Sequence, residues 1–281
     1  MNVTLGILHP GEMGSFLAAS ARNSLGTVYW CSEGRSAATR ARAGQQGLTE
    51  ITTLQEFCRR CSVIVSVCPP HAAETQADAV MACGFTGIYV DANALSPATM
   101  QSLGQRLQAS GMRVVDGGIV GLATYKPQTT WLYLSGAEAS VVAACFSAGP
   151  VEVAVLGPEL GQASALKMCY AAWNKGKNAL LAAVMAAADE LGVLPALEQQ
   201  WDVYEPGFSS AGSERLRGMA RKAWRFGGEM EEIAATLQSC GVPHEFFTAS
   251  AELYRRGSAF KDSPTPPSLE QLLAAVRTPR S

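Results

Sequence analysis

The sequence predicts an α/β domain built on a parallel sheet, followed by an all-α domain, and three observations carry that reading. Through the first half, short apolar runs alternate with longer stretches of helical Leu, Met and Ala spacing. The alternation stops after Gly157-Pro158. Beyond it, Gln162 to Leu191 contains no proline and holds an Ala-rich run from Ala179 to Ala188, the composition of one long helix. Strand and helix in strict alternation build βαβ units, whose parallel sheet is covered on both faces.

Taken in order, Val3–Leu8, Thr27–Trp30, Val63–Val67, Ile88–Asp91 and Arg113–Asp116 read as strands, and Gly11–Asn23, Ser36–Ala43, Ala72–Ala82 and Pro97–Ser110 as the helices near them. Trp131–Ser135 and Val151–Leu156 extend the sheet. The change of character sets a domain boundary near residue 158, giving domains 1–158 and 159–281. In the second, Gly207, Gly212, Gly227-Gly228 and Gly241-Val242-Pro243 divide the chain into several helices. Asp262-Ser-Pro-Thr-Pro-Pro reads as an extended linker before a short helix over Ser268–Val276.

Composition excludes several classes of function. Lys plus Arg is 22 and Asp plus Glu is 24, a formal charge of −2, so there is no basic stripe for a phosphate backbone and nucleic acid is not an expected partner. No basic leader precedes the first apolar run, and no apolar stretch reaches the roughly 20 residues that span a bilayer, which predicts a soluble, cytoplasmic chain with no membrane partner. The eight cysteines lack the spacing of a disulfide framework and read as reduced thiols. Cys58 and Cys61 form a CxxC, but no second ligand pair accompanies it, so the pair reads as coincidence on a helix and no metal site is expected.

Chemistry begins where the first strand ends. The chain runs from Gly6 through His9-Pro10-Gly11-Glu12-Met13-Gly14 directly into a helix. In a Rossmann-type dinucleotide fold this turn brings free helix N–H groups to the pyrophosphate, and its glycines admit a close approach. Here Gly11 and Gly14 hold the second and third glycine positions of GxGxxG, and His9 holds the first. Pro10 biases His9 toward an extended conformation, so the turn is built differently. A plain strand-to-helix turn carries the same residues; position at the chain start, opening a βαβ unit, favours the cofactor.

The end of the second strand reads Cys31-Ser32-Glu33-Gly34-Arg35-Ser36. A carboxylate there binds the ribose hydroxyls of NAD, whereas hydroxyls and a cation bind the 2′-phosphate of NADP. Ser32, Arg35 and Ser36 predict NADP, with Arg40 one turn on as a reserve cation. Glu33 keeps NAD open, and Ser36 also reads as a helix cap.

These features resemble the β-hydroxyacid dehydrogenase family, which includes 3-hydroxyisobutyrate and 6-phosphogluconate dehydrogenases and, as a divergent arm, imine reductases. The resemblance extends over nearly the whole chain. Gly11-Glu12-Met13-Gly14 is similar to the family's opening turn, Cys68-Pro69-Pro70-His71 to its proline-containing turn, and Asp91-Ala-Asn93-Ala-Leu-Ser96-Pro97 to its Asp-containing turn. Asp116-Gly-Gly-Ile-Val120-Gly121-Leu122 is similar to its substrate segment, and Gly161-Gln-Ala-Ser-Ala-Leu-Lys167 to its catalytic lysine segment. The resemblance implies cofactor contacts from the first three turns, including Cys68, Pro69, Pro70 and Asn93. It implies substrate contacts from Gly117, Gly118, Val120 and Gly121, and general acid/base chemistry from Lys167.

The sequence departs from the family pattern at four places. His9 replaces a glycine. Val120 replaces a substrate-binding serine, leaving backbone amides of Gly117, Gly118 and Gly121 to meet an oxyanion. Tyr170 and Ala171 follow Lys167 where the family often has asparagines, and Gly228-Glu229 stands for a cofactor-contacting Lys-Asp. On a helix, Tyr170 lies one turn beyond Lys167 and Asn174 about 10 Å beyond it, so Tyr170 is the candidate second catalytic group and Asn174 a more distant substrate contact. Lys175 and Lys177 point elsewhere and read as surface charges.

The resulting expectation is an NADP(H)-dependent dehydrogenase or reductase acting on a small hydroxyacid or carbonyl compound. An imine reductase of the same fold and a catalytically silent NADPH-binding protein are the competing readings. The small residues around Met185 predict a homodimer through the long helix, with packing inside a monomer as the alternative.

Overall fold

The computed structural model describes residues 3–124, 126, 128–261 and 263–277. The chain forms two compact units, Met1–Met168 and Cys169–Ser281.

In the first unit the elements alternate: β1 Leu5–Ile7, α1 Glu12–Leu25, β2 Val28–Cys31, α2 Ala37–Gln45, β3 Thr49–Ile51, α3 Leu54–Arg60, β4 Val63–Ser66, α4 Pro70–Ala82, β5 Ile88–Asp91 and α5 Pro97–Ala109. There follow β6 Arg113–Gly121, β7 Thr130–Ser135, α6 Ala139–Ala144, β8 Glu152–Gly157 and the start of α7, Gln162–Glu190. All eight strands join one sheet in the order β3-β2-β1-β4-β5-β6-β7-β8. The first six are parallel, β7 is antiparallel to β6, and β8 is parallel to β7. The order reverses between β1 and β4, and at such a switch point α/β sheets open a ligand crevice beyond the strand ends.

Both faces of the sheet are covered, as the apolar strands require. Leu5, Ile7, Val63, Val65, Ile88 and Val90 pack into one core, while Ile64, Tyr89 and Val114 pack with Phe57 and Leu103 into the other. Gly6 belongs to the second face, where an added Cβ would lie 2.3 Å from Phe57 Cζ and 2.6 Å from Cys61 Sγ. The CxxC cysteines are therefore packing groups: Cys58 and Cys61 are both buried beneath the sheet.

Two differences from the sequence reading have clear causes. The edge strand β3 is three residues, Thr49-Glu50-Ile51, with no buried member to mark it. The strand expected to end at Asp116 continues to Gly121, because antiparallel pairing with β7 from Asp116 to Gly121 takes over where parallel pairing with β5 stops. The first turns of α7 belong to the first compact unit.

The second unit is helical, and no strand occurs among its described residues. The rest of α7 is joined by α8 Leu194–Tyr204, α9 Phe208–Ala220, α10 Ala223–Ser239, α11 Glu245–Arg256, a 3₁₀ turn over Gly257–Phe260 and α12 Leu269–Val276. Asp262, at the head of the expected linker, lies outside the described residues. Ala182, Met185, Ala186 and Ala188 of α7 are buried against Leu216, Ala220, Leu272 and Leu273. Small side chains thus serve the core of this unit by admitting α9 and α12. No helix among the described residues is long and apolar enough to cross a membrane.

Candidate functional site

The turn after β1 ties its own carbonyls inward. Gly11 N donates to His9 O at 2.8 Å, Ser15 Oγ to Pro10 O at 2.9 Å, and Arg42 Nε to Pro10 O at 3.3 Å. Gly11 is the N-cap of α1 and no side chain caps the helix, so its leading N–H groups carry no side-chain acceptor. The two glycines differ in purpose. A Cβ at Gly14 would lie 2.0 Å from His9 O, whereas a Cβ at Gly11 would meet nothing within 4 Å. Gly14 fits helix to strand, and Gly11 borders open space. Met13 packs against the core, and Glu12 stands exposed in the first turn. His9 is partly buried, with Nδ1 buried and without a partner. Burial first, then the neighbouring Arg35 charge, lower its pKa to about 4, so the ring is neutral near neutrality.

At the end of β2, Ser32 is buried with an unpartnered Oγ, and Arg35 Nε is likewise buried and unpartnered. Arg35 makes only a long contact to Gln76, 3.5 Å from Nη2 to Oε1, and pairs with no carboxylate among the described residues. Glu33 is turned away, its Oε2 accepting Leu54 N at 2.6 Å at the start of α3. Ser36 caps α2, accepting Thr39 N at 3.3 Å, which commits its hydroxyl to the helix. The reserve cation Arg40 pairs with Glu50 and donates to Ser32 O at 3.1 Å.

The ends of β4 and β5 are locked to each other. Cys68 N donates to Asn93 Oδ1 at 2.6 Å, and Asn93 Nδ2 donates to Asp91 Oδ2 at 2.9 Å. Asn93 N also donates to Asp91 Oδ1 at 3.0 Å. The side chain of Asn93 therefore shapes the Cys68-Pro69-Pro70 turn, where Pro69 caps α4 and Pro70 opens it. Burial raises the Asp91 pKa to about 7 against the lowering effect of the Asn93 bonds.

Asp116 holds the helix that bears Lys167. Its Oδ2 accepts Ser135 Oγ at 3.0 Å, Gly161 N at 3.0 Å and Ser164 N at 2.9 Å, and its Oδ1 accepts Ser164 Oγ at 2.7 Å. Ser135 Oγ in turn accepts Ala163 N at 3.1 Å. The amides of Gly161, Ala163 and Ser164 are thus satisfied by one buried carboxylate and one buried hydroxyl. Gly118 lets α7 lie close to β6, since a Cβ there would fall 2.6 Å from Ala163 O and 3.2 Å from Lys167 Cβ. Lys167, partly buried, donates from Nζ to Ile119 O at 2.5 Å. Val120, in the serine position, is 8 % exposed. Gly117, Gly118 and Gly121 lie within β6, and Gly121 has φ +110°, with Thr129 O 2.1 Å from a Cβ placed there.

In the second unit Tyr170 is 45 % exposed, and Asn174 Nδ2 donates back to Tyr170 O at 3.1 Å. The sequence reading of Lys175 as a surface charge is corrected. Its ammonium pairs with Glu229 in a largely buried contact and lies 4.7 Å from the Phe226 ring centroid. Lys177 stays exposed, 5.6 Å from the Trp173 ring centroid. Asn178 was not anticipated: it is buried, and its Oδ1 accepts Arg215 Nε at 3.0 Å. Its spacing from Asn174 was the available signal.

The strand order and the open turn define a dinucleotide-binding α/β protein, and comparison with known proteins narrows the class. Residues 4–147 match the family described as the NAD binding domain of 6-phosphogluconate dehydrogenase, and residues 188–257 match a domain of unknown function, DUF1932. The chain belongs to the β-hydroxyacid dehydrogenase family, a family of nicotinamide-dinucleotide-binding oxidoreductases. Among solved structures it is similar to the conserved protein MTH1747 of unknown function, itself described as similar to 3-hydroxyacid dehydrogenases. Identity is 27 % and TM-score 0.64, with 93 % of this chain and 100 % of that chain covered. It shares its fold with 3-hydroxyisobutyrate dehydrogenase from Salmonella typhimurium at TM-score 0.69 and 17 % identity, covering 97 % and 99 % of the two chains. It also shares it with a reductive aminase from Aspergillus terreus in complex with NADPH and ethyl levulinate, at TM-score 0.55 and 17 % identity, covering 99 % and 100 %.

Proposed function

We propose that the protein is an NADP(H)-dependent oxidoreductase that exchanges hydride with a small carbonyl or hydroxyacid substrate, with Lys167 as general acid/base. The observation that carries this reading is Lys167 itself, a partly buried ammonium held on Ile119 O by a helix whose first turn is fixed through Asp116. Fixing the first turn fixes the proton donor, and general acid/base catalysis depends on that. The bound cofactor supplies the hydride. Lys167 Nζ gives a proton to the substrate oxygen during reduction and recovers one during oxidation. Gly117, Gly118, Val120 and Gly121 line the substrate on the β6 side.

The preference for NADP rests on polar atoms that need an external partner. Ser32 Oγ and Arg35 Nε are buried and unpartnered, as a 2′-phosphate site without its ligand would leave them. Glu33, the residue that would favour NAD, accepts Leu54 N instead. Uncapped α1 and the open space over Gly11 fit a pyrophosphate. We further propose that the active species is a homodimer.

One observation favours a second reading, reduction of a C=N bond: Val120 offers no hydroxyl to a substrate carboxylate. Cofactor titration and turnover with ketoacids, hydroxyacids and preformed iminium compounds test both readings. Lys167→Ala should lose ~10²- to 10⁴-fold in ketone turnover with NADPH affinity retained. Arg35→Ala should weaken NADPH by about 1–3 kcal/mol and leave NADH unchanged. Wild-type ketone turnover in Lys167→Ala removes it from the mechanism, activity confined to iminium substrates favours the second reading, and cofactor binding without turnover on any substrate indicates a silent binding protein.

A further inference from the structure

His9 stands where a dinucleotide turn ordinarily has its first glycine, and a glycine would leave no side chain there. β1 and β2 are in register with Ile7 opposite Trp30, so His9 and Ser32, each two residues further on, leave the sheet side by side. Arg35 follows Ser32 and reaches back, so that its charge acts on His9. His9 Nδ1, Ser32 Oγ and Arg35 Nε are all buried without a hydrogen-bond partner. Buried polar atoms ordinarily find partners, and three at one strand-end corner call for a ligand with several acceptors.

We propose that His9 takes up a proton when a phosphate group of the dinucleotide enters this corner, so that imidazolium and guanidinium close on the anion together. The proposal rests on the dinucleotide reading above. Without an anion, a proton on His9 would add a second positive charge beside Arg35 in a partly desolvated site. A phosphate reverses that balance, because its charge outweighs the guanidinium and its oxygens accept from an imidazolium that donates at both nitrogens. The titratable and charged groups on the converging elements are Cys31, Glu33, Arg35, Arg40 and Arg42 from the β2–α2 segment, Glu12 from the first turn of α1, and Cys68 after β4. Of these, Arg35 is the one whose charge is felt at His9. The free ring is held neutral down to about 4, which leaves a wide pH window for uptake.

The chain has three histidines, His9, His71 and His244, so the ring C–H signals are few enough to follow individually by NMR. His9→Gln assigns its signal by loss, and His71→Gln and His244→Gln assign it by elimination if the first variant does not fold. Each signal is titrated against pH in the free protein and with saturating NADPH, NADH or adenosine 2′,5′-bisphosphate. With NADPH, the His9 transition should move upward. NADPH affinity of the wild type should fall with rising pH by up to about tenfold per pH unit more than that of His9→Gln. A shift with the bisphosphate alone assigns the 2′-phosphate as partner, and a shift with NADH assigns the pyrophosphate; either supports the proposal. An unmoved His9 signal in a protein saturated with NADPH overturns the proposal and leaves the cofactor reading standing. Failure of all three compounds to bind overturns both.

Discussion

The Asp116 carboxylate accepts both the backbone amide of Ser164, at 2.9 Å, and its hydroxyl, at 2.7 Å. This contact makes a residue of β6 the cap of a helix that begins 46 residues later by sequence number, at Gln162. Asp116→Ala would strand the amides of Gly161 and Ser164 and the hydroxyls of Ser164 and Ser135 in a buried site. At ~1–3 kcal/mol for each stranded donor, the loss should exceed about 3 kcal/mol. Ser164→Ala removes one hydroxyl and should cost about 1–2 kcal/mol. Urea unfolding of the two variants measures the order, and a smaller loss for Asp116→Ala than for Ser164→Ala would contradict this account of the cap.

The turn glycines should separate folding from binding. In Gly14→Ala the new methyl meets a backbone carbonyl, His9 O, at 2.0 Å, and backbone cannot swing aside. This variant should be strongly destabilised. Gly11→Ala meets no protein atom within 4 Å and should unfold at nearly the wild-type denaturant concentration. Its methyl instead enters the space assigned to the pyrophosphate, so dinucleotide affinity should drop. Unchanged affinity in a stable Gly11→Ala protein would move the cofactor away from this turn.

Local signals in the sequence disclosed most of the architecture and the turns at which the site is built. Apolar runs, helix-start residues and the position of Gly11 and Gly14 are readable within a few neighbours. What stayed hidden depends on distant partners. Glu33 kept NAD open in the sequence, and its contact with Leu54, 21 positions on, was not readable there. Lys175 looked solvated because Glu229 is 54 positions away. Asp116 was visible as part of a motif, but its partners Ser135 and Ser164 are 19 and 48 positions away, and nothing near it signals a helix cap. The alanines of α7 were legible as a surface for close packing, while which helices would use it was not.

Asp91 should lower stability as pH rises from about 4 to about 7, while His9, with its pKa lowered to about 4, acts in the opposite direction over the same window. An unfolded aspartate titrates near 4, whereas burial lifts Asp91 to about 7 in the fold. Between those values the folded chain holds a proton that the unfolded chain has released. The contribution is therefore full below the unfolded value and is lost as pH climbs through the folded one. Asp116, also raised by burial, acts in the same direction. Asp91→Asn cannot titrate, so as pH rises across this window its stability should lose less, or gain more, than that of the wild type. Identical slopes for variant and wild type in urea unfolding at several pH values would show that Asp91 does not titrate there.

The outward side of α7 bears on assembly. Ala179, Ala182, Ala186 and Ala188 face the core of the second unit, so they do not supply the interface expected from composition. The exposed side instead carries Trp173 at 70 %, Leu180 at 52 % and Val184 at 37 % exposure. Trp173 and Leu180 are seven residues apart and Val184 follows Leu180 by four, a spacing that keeps large apolar groups on one helix stripe. A second copy of the chain presents the same stripe, and a two-fold axis lets one patch cover the other. Light scattering should therefore give twice the chain mass. Substituting Leu180→Lys and Val184→Glu together should yield a monomer with an intact helical signal, because neither side chain belongs to the core. A wild-type monomer at micromolar concentration would remove the stripe as a self-association surface, and a dimer unaffected by the double substitution would place the interface elsewhere.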